Sequence, residues 1–276
     1  MTGGAAGTFA SLGDVGQQVQ EGVARRLGLT AMPVPSRSIV DQFAELVCVL
    51  GMVCSTAQSV AEEVERLLTA EYGEVSESIP PDTVGSSTIP QKRNPALCGG
   101  VIIPAAQVRA VVPLALESII QAHEVDGTRS VTMDRAVEQA CVLTTDALVA
   151  LRSLVAGLRV YPERMRANLD LTGGLINAEA VMLALARAVG RQEAHHVVHA
   201  VVERLGAPGA RFDDALLTDP QVSAVLGEDE VQTLLDPVQY IGLSAKVARE
   251  TSRRARDVVV REHRHTSEQG STANPG

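Results

Sequence analysis

Residues 36 to 70 carry the pattern that most restricts the fold. The stretch holds no proline and one glycine, Gly51. Apolar or small residues stand at Ile39, Phe43, Leu46, Leu50, Val53, Ala57, Val60, Val64 and Leu67, in alternating steps of four and three. A strand would alternate with a period of two, so the spacing predicts a helix with a heptad seam. At 1.5 Å per residue that helix is roughly 50 Å long.

Two further stretches repeat the pattern. Leu97, Val101, Pro104, Val108, Val111, Ala115 and Ile119 fall on one helical face, with Pro104 and Pro113 expected to bend or break it locally. Val137, Cys141, Thr144, Leu148, Leu151, Val155 and Leu158 form a third seam. Aromatics make up only 2% of the chain and tryptophan is absent, so the core must be aliphatic. Three long seamed helices with an aliphatic core predict an all-α long-helix bundle. A seam without a neighbour would leave a large apolar stripe in water, so partner helices are expected from this chain or another.

After Gly157 the elements shorten. Tyr161-Pro162, Gly173-Gly174, Gly190, the 206–209 stretch, Asp219-Pro220 and Asp236-Pro237 punctuate them. Asp before Pro is a helix-start signal, an N-cap oxygen followed by a residue that needs no N–H. The expected organisation is a partial central helical-bundle domain over residues 1–159, with a loop at 83–95. A smaller C-terminal helical domain follows at 160–250, then a polar tail at 251–276 that loses order towards its end.

A net charge of -9 argues against nucleic acid as a general partner. No uninterrupted apolar run approaches bilayer length, so no membrane association is expected. The first residues lack the basic start and apolar centre of a secretory leader. The four cysteines show no CxxC spacing, and Cys48 and Cys54, on one helix, are too far apart to bridge. Unpaired buried thiols and a cytoplasmic location are the expectation.

The first long helix is expected to end near Tyr72-Gly73 and the next to begin at Asn94-Pro95; between them lie about twenty residues without periodicity, leading into the polar stretch "VGSSTIPQKRNPALCGG" (84–100). Loops of that length inside a compact domain are uncommon and often functional. Asn94 is the expected N-cap and Pro95 the first helical residue. Lys92 and Arg93 precede a helix N-terminus, which favours anions. On these residues alone, an anion-binding loop and a plain surface linker both remain open.

"GSSTIPQKRNP" closely resembles the GSSxMPxKxNP signature of the fumarase/aspartase superfamily, with Ile89 in place of the usual Met. "GGAAGTFASLG" (3–13), "EYGEVSE" (71–77), the 164–199 stretch and "LLDPVQYIG" (234–242) resemble the cycloisomerase and adenylosuccinate lyase branch. "HEVDGTRSVTMDR" (123–135) resembles the HERDxSHS segment of adenylosuccinate lyases, departing at Val125 and by one inserted residue. The resemblance implies elimination or cycloisomerisation on a small dicarboxylate substrate, with no metal or organic cofactor. Carried onto this sequence, Ser86 would be the general base. Lys92 and Asn94 would hold the substrate carboxylate, assisted by Ser87 and Thr88, with Arg135 as a further anion contact.

The resemblance also implies a homotetramer-type assembly in which active sites draw on several subunits. The family's long N-terminal stretch, with a TxHxQ segment, precedes anything matched here. Three expectations follow: a split enzyme completed by a separate N-terminal-half polypeptide, a truncated frame, or a non-catalytic helical-bundle scaffold. Other clusters read as structural. His195 and His199, at i and i+4, read as a polar helix face rather than a metal pair. His123 and Glu124 mark a helix end. Arg253, Arg254 and Arg256 form a small basic cluster that reads as a solvated helix end.

Overall fold

The computed structural model describes residues 2–78, 95–205 and 211–272, with side chains as far as Arg261. The chain divides into two compact units, Met1–Tyr161 and Pro162–Gly276. Helices dominate both, as the sequence predicts, and the only sheet among the described residues is a two-stranded one.

The first unit opens with a short helix, α1 (Gly16–Arg26), and then builds on three long ones: α2 (Asp41–Leu68), α3 (Ala96–Glu117) and α4 (Gly127–Gly157). They run up, down and up. A Cβ at Gly51 on α2 would lie 3.0 Å from Val112 on α3, and Arg109 of α3 donates to Gln58 of α2 at 2.6 Å. Ordering is thus reversed between the two helices. Asp126 starts α4 by accepting from the N–H groups of Thr128 and Arg129, and Arg129 pairs with Glu117 at the end of α3. Strand β1 (Val75–Ser76) pairs antiparallel with β2 (Arg159–Val160), tying the exit of α2 to the exit of α4. Pro104 and Pro113 do not break α3, which continues through both.

The core of this unit is made of small side chains. Along α2 the buried line is Ala44, Val47, Gly51, Cys54, Ala57, Ala61 and Val64. Most of the seam read from the sequence lies beside it and is open: Phe43 is 44% exposed, Leu46 40%, Val53 38% and Val60 41%. The same offset occurs on α4, where Met133, Ala136, Ala140, Thr144, Ala147 and Leu154 are buried while Cys141, Leu148 and Val155 are exposed. Only on α3 does the predicted line match, with Val101, Pro104, Val108, Val111 and Ala115 buried. Periodicity locates a broad apolar arc. Ala, Gly and Cys let this chain's own helices approach along one edge of it, and the bulkier edge has no neighbour among the described residues.

The second unit contains α5 (Pro162–Leu169), α6 (Ala178–Val189), α7 (Arg191–Arg204), α8 (Phe212–Thr218), α9 (Pro220–Ser223), α10 (Glu228–Leu235) and α11 (Ser244–Thr272). Its core centres on Phe212 and Leu216, packed among Val181, Leu185, Val201, Val222 and Val231. Gly173 and Gly174 both take left-handed backbone (φ 57° and 89°) to turn into α6, and Phe212 N–H bonds the Gly173 carbonyl. The Asp-Pro starts are found where expected. Asp219 accepts from Gln221 and Val222, and Asp236 accepts from Val238. The segment from residue 251, expected as a tail, is helical as far as Thr272.

Candidate functional site

The signature residues Ser86, Ser87, Thr88, Lys92 and Asn94 lie outside the described residues, as does the rest of the 79–94 segment. What the structure describes is the frame on either side. On the incoming side, Val75 is buried and Ser76 and the Tyr161 hydroxyl are 2.8 Å apart. Tyr161 N–H donates to the Glu74 carbonyl at 2.9 Å. Ser78 is pressed against Gly157, where an added Cβ would come within 2.4 Å of the Ser78 Cβ. Only a glycine lets the end of α4 pass so close.

On the outgoing side, α3 begins at Ala96, with Pro95 just outside it at φ -73°, ψ 74°. Pro95 is therefore not the first helical residue. Two of the N–H groups at that helix start are already engaged. Glu77, 7% exposed, reaches across from the incoming side and accepts from Leu97 N–H at 3.2 Å and Cys98 N–H at 2.8 Å. The Cys98 thiol is pushed well above the usual range, first by burial and then by its hydrogen bond to Glu77. It stays neutral and is no nucleophile.

Arg135 occupies the other end of the bundle. It lies on α4 some 22 residues before Gly157, about 33 Å by helix rise. There it lines an open groove of about 890 Å³ between α3 and α4, with Gln107, Thr132, Glu138 and Gln139. His123 (φ 56°) and Glu124 are exposed in the α3–α4 connection. On α7, His195 and His199 stack at 6.0 Å, and His199 lies 3.7 Å from Glu203. Among the described residues no group of three or more His, Cys, Asp or Glu side chains is placed to hold a metal. Sequence reasoning passed over Glu77. Its position in "EYGEVSE" was visible, but nothing local links it to a helix twenty residues on.

A family model described as Lyase matches residues 1–110, and one described as Adenylosuccinate lyase C-terminus matches residues 174–251. The chain belongs to the fumarase/aspartase superfamily. A 3-carboxy-cis,cis-muconate cycloisomerase of Pseudomonas aeruginosa is 37% identical over 244 residues, which are 87% of this chain and 52% of that protein. An adenylosuccinate lyase of Methanothermobacter thermautotrophicus is 33% identical over 250 residues, 90% of this chain and 56% of that one. The crystal structure of a 3-carboxy-cis,cis-muconate lactonizing enzyme from Pseudomonas putida superposes with a TM-score of 0.82 at 35% identity, covering 92% of this chain and 57% of that one. The chain thus spans about half the length of the relatives it matches.

Although no uninterrupted apolar run approaches bilayer length, α2, α3 and α4 are each long and apolar enough to cross a membrane. In this superfamily such helices pack in a bundle, and the small-residue lines buried among α2, α3 and α4 are of that kind.

Proposed function

We propose that this chain supplies the signature loop and C-terminal domain of an enzyme that performs β-elimination or cycloisomerisation on a succinyl-type dicarboxylate. The observation that carries the reading is the signature itself, "GSSTIPQKRNP", in a chain whose fold and identity match carboxymuconate cycloisomerases across most of its length. Ser86 takes the proton from the carbon beside a carboxylate. The C–H electron pair moves into that carboxylate, where Lys92 and Asn94 balance the added charge. Its return forms the double bond and expels the group on the neighbouring carbon with its electrons. Serine is a weak base in water, so the step requires a water-poor site with nearby positive charge.

Two observations support a site drawn from more than one chain segment. Arg135 and the frame of the signature segment stand at opposite ends of one bundle. The apolar edges of α2 and α4 have no neighbour within the described residues. Both fit an assembly in which further helices, including the family's earlier half wherever it is encoded, complete the bundle. A carboxymuconate-type lactonisation is favoured by the relatives of highest identity reported above, and cleavage of an adenylosuccinate-type substrate is the second reading, favoured by the match over residues 174–251.

The test is to supply the earlier half, by co-expression or as one chain. Purified enzyme is then assayed by ultraviolet absorbance against carboxymuconate, adenylosuccinate and argininosuccinate. Turnover of one of them supports the proposal. An assembled, well-folded complex inert towards all three would favour the scaffold role.

A further inference from the structure

Glu77 is the only buried charged side chain in the first unit among the described residues. A carboxylate removed from water needs compensation of comparable strength. Among the described residues no Lys, Arg or His forms an ion pair with it; its backbone partners are the N–H groups of Leu97 and Cys98, one on each oxygen. A helix start offers unpaired donors and a partial positive charge, so it compensates an anion well.

We propose that Glu77 is a positioning residue. Its carboxylate fills the anion-binding place at the start of α3 and clasps together the two flanks of the signature segment. The bond joins positions twenty and twenty-one residues apart, and it closes around the segment between Ser78 and Pro95. The Ser78–Gly157 contact fixes the incoming flank from a second side. A ligand carboxylate arriving at the α3 N-terminus would find the Leu97 and Cys98 donors taken and a like charge in place. Resting on the function proposed above, the consequence is that the start of α3 does not itself receive a substrate carboxylate.

Amide hydrogen exchange on the full chain tests the clasp without reference to activity. In the unsubstituted protein, exchange at Leu97 and Cys98 is expected to be slow and indifferent to added succinate. In Glu77→Ala it should speed up by roughly fivefold or more, the scale of a lost helix cap. Succinate should then slow it again by taking the vacated place. Glu77→Gln, which keeps one carbonyl acceptor, should fall between and serves if the Ala variant folds poorly. Unchanged exchange in both variants, or succinate protection in the unsubstituted protein, overturns the proposal.

In the completed enzyme, Glu77→Ala should lower kcat by roughly tenfold or more, as expected for misplaced catalytic groups. KM should stay nearly constant and Glu77→Gln should recover part of the loss. A change confined to KM, or no change, overturns the positioning role. If the unsubstituted completed enzyme shows no turnover, the functional reading fails, and the exchange results still decide whether Glu77 occupies the helix end against ligand.

Discussion

Asp219 shows how much a single carboxylate organises in the second unit. It caps α9 through the N–H groups of Gln221 and Val222 and bonds Arg204 of α7. Burial pushes its pKa up, but the Arg204 hydrogen bond and the two N–H groups outweigh this and hold it below the ordinary value. Asp213, beside Arg211, and Asp236, beside Arg166, are lowered too. These groups are more acidic folded than unfolded, where aspartate titrates near about 3.9. The stability they bring is therefore present above that pH and is lost as pH falls through the lower folded values. Urea unfolding of the second unit should give a midpoint that is level from neutrality to about pH 5 and drops below about pH 4. Asp219→Asn should narrow the gap between the two regimes. An equal gap in variant and parent would contradict this account of the carboxylate.

At the scale of elements, the heptad spacing was enough to read three long helices and their aliphatic core. Which edge of each apolar arc would be buried was not legible, because one-dimensional periodicity does not say where neighbours stand. Phe43 and Ala44 are adjacent in sequence, and three-dimensional packing alone chooses Ala44. The length of helix α11 beyond residue 250 was missed for a related reason. From Lys246 to Arg261 its described side chains are exposed, so helix-forming residues such as Ala255 and the arginines carry it without a buried stripe. Two predictions belong here. Gly51→Val should cost about 1–3 kcal/mol in chemical denaturation, since its Cβ would already crowd Val112 before any further methyls are placed. Cys141, exposed on the open edge of α4, should react readily with a thiol reagent in the isolated chain, while Cys54 and Cys98 should not. Adding the family's earlier half should protect Cys141. Reactivity that persists in the complex would show that this edge stays uncovered.

At the scale of the whole molecule, eleven residues of signature pointed to the family to which the chain belongs. The frame around it, above all the Glu77 bridge and the Ser78–Gly157 contact, came only from the fold. Arg135 was picked by resemblance, and the fold places it on α4 some 22 residues before Gly157, away from the frame of the signature segment. The most direct measurement is turnover by the completed enzyme with and without Ser86→Ala, monitored alongside assembly state by sedimentation. Loss of the general base should reduce kcat by roughly a hundredfold or more while the assembled mass is unchanged. Turnover surviving intact in Ser86→Ala would contradict the assignment of proton abstraction to the signature loop.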